Sequence, residues 1–267
     1  MTSTAAIFDA FRQDLDEHND RRERLIKASR DVTNISKKAI FLLHRIVLEN
    51  VPALDGLTPA LRAAKAGNEN LRQVQQIYAN MKEELVGDRF WRYQHQVSPG
   101  LQEYIEALSF SHFLEHGTLI SLDEVQQTLC DSKGAPYFPL TISDYMLGLS
   151  DLTGELMRYS ISGLTKRGGR LQAMDTLGFV RNCKADFEAF TPYVRFLSKK
   201  QSVTAQSLQK IEDAVYAIVV RSSEYDLSPE MLDDIVSQTF SSSSADRRGG
   251  RRNADSEDGF DDENMSF

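Results

Sequence analysis

The chain has 267 residues, 41% of them apolar and 26% charged, and a net charge of −8. It is long enough for a well-buried core, is composed like an ordinary globular protein, and is too acidic to wear a general basic coat for nucleic acid, although a local basic surface stays open. There is no run of about 18 apolar residues, no apolar leader at the N-terminus, and only Cys130 and Cys183 outside any Cys-x-x-Cys, which together argue against a membrane span, a secretory signal and a thiolate zinc site and fit a reducing compartment.

Helical periodicity dominates. From Ile7 to Leu48 apolar residues recur mostly every three or four positions, and Gly and Pro are absent up to Val51, so one long helix or two in tandem is expected. Pro52, Gly56 and Pro59 mark a loop, and a second helix runs from Pro59 to Val86. A third spans Asp88 to His116, with Pro99 either starting a new helix or kinking a continuous one. Ser121-Leu122-Asp123-Glu124 is a capping box that opens a short helix to Cys130. Helices are then expected over Ser143–Ser162, from the Lys166–Arg170 loop to Phe190, over Thr204–Arg221, and briefly from Pro229. There is no strand pair. The reading is an all-α, single-domain bundle of about seven helices over residues 1–240, followed by a disordered Ser/Arg/Gly and acidic tail, 241–267.

Two acidic pairs stand out. Glu103 and Glu106 are three apart, and Asp151 and Glu155 four apart, so each pair shares one helix face. Like charges so placed weaken an isolated helix, and their neighbours, among them Ile105, Leu108, Leu152 and Leu156, are core-type residues. Carboxylates in such company are costly to bury without a compensating cation. One reading is four solvated surface residues; the other is a metal site. Glu-x-x-Glu and Asp-x-x-x-Glu offer oxygen alone, with no histidine at those offsets, which suits Mg²⁺ or Mn²⁺ better than zinc or iron. Carboxylate-held Mg²⁺ most often serves phosphoryl chemistry.

Basic residues cluster early, including Lys27, Arg30, Lys37, Lys38 and Arg45, and cations alternate with aromatics at Arg89, Trp91, Arg92, Tyr93 and His95. Each is a candidate phosphate or base contact, or else a solvated face. Arg247-Arg248 and Arg251-Arg252 form a candidate nuclear localisation patch in the tail.

Several runs, in order, resemble the translin family, and within it the factor X members, of a fungal type. They are Glu23–Thr33, Ser36-Lys37-Lys38, Ile40–Arg45, Gly100–Ala107, Leu119–Glu124, Asp144-Tyr145, Asp151–Arg158 and Val215-Tyr216-Ala217, and the likeness covers Phe8 to Val236. The resemblance implies a seven-helix fold and a hetero-oligomer with translin, an octameric shell around single-stranded RNA. Within that shell this chain would be the Mg²⁺-dependent endoribonuclease subunit, with Mn²⁺ as a substitute. It places the catalytic acids on Glu103, Glu106 and Asp151, with Glu155 as a further metal ligand; translin itself lacks the Glu-x-x-Glu pair, so that pair argues for the catalytic subunit over the RNA-binding one. Lys27, Arg30, Lys37 and Arg92 are the candidate contacts to the strand. Processing of small RNAs or transfer-RNA fragments, in cytoplasm and nucleus, is the expected role. The alternative is a non-catalytic subunit that stabilises translin and binds single-stranded RNA or DNA. Three features depart from the family pattern: a short Cys130–Leu140 loop, Pro99, and the Arg/Gly and acidic tail.

Overall fold

A computed structural model describes residues 4–49, 56–164, 166, 169–224 and 231. The expected helix from Pro229 and the tail from Ser241 lie outside them, Met231 alone excepted. Among the described residues there are seven α-helices and no strand: α1 Thr4–Leu48, α2 Pro59–Met81, α3 Asp88–His116, α4 Leu122–Thr128, α5 Ile142–Gly163, α6 Gly169–Phe190 and α7 Leu197–Glu224. None of them is long and apolar enough to cross a membrane.

The first 45 helical residues are a single helix, since nothing in them breaks it. Its buried stripe begins only at Leu25 and continues through Val32, Ala39, Ile40, Leu43 and Val47, whereas Phe8, Phe11 and Leu15 are exposed. Caps set several boundaries. Thr58 Oγ1 accepts from Leu61 N with Pro59 at the first helical position, Ser121 and Glu124 form the reciprocal box expected of them, and Thr141 Oγ1 accepts from Asp144 N. Gly117, at φ 71°, ends α3 in the left-handed conformation that favours glycine.

Several boundaries differ from expectation. The second helix stops at Met81, and Lys82–Glu84 continue as one 3₁₀ turn. The sixth helix starts at Gly169, inside the expected loop. The seventh starts at Leu197 rather than Thr204, because Ser198-Lys199-Lys200-Gln201-Ser202 carry no apolar period yet continue the helix backward from its buried face.

The two helices that carry the acids lie at the centre. α3 packs on α1, α2 and α5, and α5 packs on α3, α6 and α7. Tyr78, Tyr93, Tyr104, Phe90 and Phe110 are fully buried. Tyr104 finds partners for its hydroxyl, donating to Thr128 Oγ1 at 2.8 Å and accepting from Gln75 at 3.0 Å, so its apolar area is gained without stranding a polar group.

A carboxylate-lined cleft between α1, α3 and α5

Two glycines set how closely the central helices approach. Pro99 does not break α3. It has no N–H of its own, and the next amide, Gly100 N, donates to Ser29 Oγ of α1 at 3.0 Å. A Cβ on Gly100 would lie 2.6 Å from the Ser29 carbonyl oxygen. On the opposite side, a Cβ on Gly148 of α5 would lie 2.7 Å from Ile105 Cβ and 2.9 Å from the Gln102 carbonyl oxygen. Gly154, the other small residue of α5, has nothing within 4 Å of that position. Gly148 thus serves close helix approach and Gly154 does not.

Just beyond these contacts α1, α3 and α5 enclose a cleft of about 740 Å³. Lys37, Ile40, Phe41 and His44 line it from α1, spaced as one helical face. Glu103 and Glu106 line it from α3, and Asp151, Glu155 and Arg158 from α5. All four acids singled out in the sequence therefore face one cavity, rather than separate regions of solvent.

Three of them have cationic partners. Lys37 Nζ lies 3.2 Å from Glu103 Oε1. Lys200 Nζ, reaching in from α7, pairs with Asp151 Oδ2. Glu155, buried to 8% exposure, holds both His44 Nε2 at 2.5 Å and Arg158 Nη1 at 3.1 Å on the same oxygen. Glu106 makes no ion pair or side-chain hydrogen bond among the described residues. Burial, and then the nearby Asp151, Glu155 and Glu103, push its carboxyl up to about 8, against the opposing pull of Lys200. At neutral pH this group mostly keeps its proton. Among the described residues, no three His, Cys, Asp or Glu side chains lie close enough to hold one metal ion as they stand. The protein's own cations draw Glu103, Asp151 and Glu155 toward three different partners.

The expected strand contacts do not gather here. Of the four, Lys37 lines the cleft, while Lys27 and Arg30 are exposed on α1 and are not among its lining residues. Arg92 belongs to a separate cleft of about 390 Å³ with Arg21, Arg89, His18 and Tyr93, where Tyr93 Oη and His18 Nδ1 are 2.6 Å apart. Two other partners of the acids were missed in the sequence. His44 had a readable signal, since it stands seven residues after Lys37 on the same face. Lys200 had none, because only the packing of α7 on α5 brings it to Asp151.

Comparison with known proteins agrees with this architecture. Residues 20–222 match the Translin family. Translin-associated protein X of Rattus norvegicus is 35% identical over 86% of this chain and 82% of its own length. The translin-associated protein X homolog of Schizosaccharomyces pombe is 30% identical over 81% of this chain and 89% of its own. Translin of Gallus gallus is similar at 22% over 82% and 93%. A solved structure described as an AfC3PO–duplex RNA complex superposes with a TM-score of 0.62 at 19% identity, covering 80% of this chain and 97% of that one. Apo-NeC3PO does so at 0.61 and 16%, covering 81% and 97%. These two likenesses speak to the fold, and the sequence matches to descent: the chain belongs to the translin family, with its higher identities to the translin-associated protein X members.

Proposed function

We propose that this chain is the catalytic subunit of an endoribonuclease that cuts single-stranded RNA in a complex with translin. The observation that carries the reading is the convergence of Glu103, Glu106, Asp151 and Glu155 on one cleft, with the Glu106 carboxyl raised to about 8. A carboxyl that titrates near neutrality is suited to proton transfer. The relatives support the partner and RNA as the class of ligand: several are named for their association with translin, and one structural neighbour was solved with duplex RNA.

The donor set fits a hard divalent cation in kind, being all oxygen and more acidic than its burial favours. Glu103, Glu106 and Asp151, with Glu155, would hold Mg²⁺ or Mn²⁺, which would supply a water of lowered pKa and neutralise charge on the phosphodiester. The chain's own groups do the rest. In an alternative division of roles, Glu106 would leave the cation to the other three acids and take the proton that moves during hydrolysis. Lys37, 62% exposed, and Lys200 bring positive charge to the same cavity for the phosphate. Phe41, 68% exposed on the cleft wall, offers a ring face to a base.

A second reading, a non-catalytic RNA-binding subunit, is favoured by one observation: the carboxylates with cationic partners are already matched, and no three acids converge on a single point. Assaying a labelled single-stranded RNA with the chain alone and with its translin partner, each with and without Mg²⁺, separates the two. Cleavage that needs both partner and metal supports the catalytic reading. Tight binding without cleavage under all four conditions supports the other.

A further inference from the structure

The turn between α6 and α7 breaks two local rules at one residue. Phe196 has a φ of 69°, a left-handed conformation that bulky side chains avoid. It is also the residue whose carbonyl accepts the first bonds of α7, from Lys199 N at 3.2 Å and Lys200 N at 3.4 Å. That capping position favours Ser, Thr, Asp, Asn or Gly, not an aromatic. Glycine would satisfy both demands. Instead a phenyl ring stands there, 50% exposed, beside Tyr193 at 83%. The segment is anchored, since Val194 and Leu197 are buried on either side of these rings. A residue that violates local preference while its side chain contributes little to the core points to a role outside the fold.

The surroundings indicate what the rings would meet. The Arg195 guanidinium lies 4.7 Å from the Phe196 ring centroid and Lys199 Nζ 5.9 Å from it. Neither cation has a carboxylate partner among the described residues. Phe196, Lys199 and Lys200 fall at i, i+3 and i+4, so they share the first face of α7. Lys200 is the residue that reaches Asp151 in the acidic cleft. Exposed rings, the two uncompensated cations and a neighbouring lysine that reaches Asp151 of the cleft suit an unpaired base followed by its phosphate.

We propose that the α6–α7 turn, through Phe196 and Tyr193, is a stacking platform for an unpaired base of a single-stranded RNA whose backbone passes Lys199 and Lys200 into the acidic cleft. The inference rests on the reading of that cleft as an RNA-cutting site. It assigns a base subsite to a part of the chain that none of the acids reaches.

The test uses the complex of the full chain with its translin partner, in EDTA, and a single-stranded oligonucleotide carrying 2-aminopurine, whose fluorescence falls on stacking. Wild type is expected to quench the probe. Phe196→Gly and Tyr193→Ala are expected to lose quench and to bind about 5- to 150-fold more weakly, the range that one lost base–aromatic stack converts to. Phe196→Gly is expected to melt no lower than wild type, because glycine relieves the backbone, so weaker binding cannot be ascribed to unfolding. Wild-type affinity and quench in both variants would overturn the proposal. So would loss of the translin partner on gel filtration with unchanged RNA affinity in the complex that remains, which would make the turn a protein interface. Cleavage in Mg²⁺ is scored separately: quench without cleavage sinks the catalytic reading and leaves the platform, and cleavage without quench does the reverse.

Discussion

His44 of α1 and Glu155 of α5, 111 positions apart in the chain, meet inside the protein with Nε2 and Oε2 2.5 Å apart. The carboxylate oxygen can only accept, so the imidazole Nε2–H donates, and Phe110 packs on the other side of the ring at a centroid distance of 4.6 Å. The pair joins the outer helix of the cleft to a central one. It also fixes which way a buried acid points. Replacing His44 with Ala is expected to destabilise the fold by about 1–3 kcal/mol, because Glu155 is left with Arg158 alone. Urea denaturation of His44→Ala, Glu155→Ala and the double variant measures the coupling. Strict additivity would show that the contact carries no energy.

The two glycines of α5 should answer differently to the same change. Gly148→Ala forces a Cβ against Ile105 and the Gln102 carbonyl and is expected to cost about 1–3 kcal/mol. Gly154→Ala meets open space and is expected to stabilise the helix by up to about 1 kcal/mol. Thermal denaturation of both, in the same buffer, checks the pair; equal shifts would contradict the close approach of α5 to α3.

Glu106 makes stability depend on pH. Its carboxyl lies at about 8 in the folded chain against an ordinary value of 4.5, so the folded state binds the extra proton between those values. Stability from this group is therefore fully present below about 4.5 and is lost as pH rises through about 8. In EDTA, wild type is expected to lose on the order of 2 kcal/mol more than Glu106→Gln between pH 5 and pH 8. Mg²⁺ is expected to shrink that difference. Urea midpoints at three pH values decide the matter, and parallel curves for the two proteins would remove the basis for a neutral Glu106.

Much of this was legible in the sequence, and what was not has physical causes. The helices follow from apolar spacing and from Gly and Pro punctuation, which depend only on local sequence. Pro99 was ambiguous because its effect rests on whether a neighbour takes up the freed backbone groups, and Ser29, 70 positions away, is not visible from the motif. The start of α7 was hidden by a polar run, and the residue that breaks the local rules, Phe196, sits at that start. The acids were readable as two pairs on helix faces. Their partners were not, because Lys200 and His44 reach the acids only through tertiary packing. The basic stretch shows the converse: Lys27 and Arg30 are close to Lys37 in sequence but lie about two to three turns before it along α1, outside the cleft lining.

If a divalent cation binds in the cleft as proposed, it and Lys200 compete for Asp151. Lys200→Met is expected to raise Mn²⁺ affinity several-fold, as a nearby unit charge is removed, while weakening RNA binding. Paramagnetic titration with Mn²⁺ and filter binding of single-stranded RNA read the two effects separately. Movement of both in the same direction would contradict the competition.

The central claim is that the carboxylate cleft cuts RNA. Its most direct measurement is the single-turnover rate of single-stranded RNA cleavage in Mg²⁺ by the complex of this chain with its translin partner, comparing wild type with Glu106→Gln. The Glu106→Gln variant is expected to assemble and bind RNA normally but to cleave at least about 100-fold more slowly. An unchanged rate in the Glu106→Gln complex would contradict it.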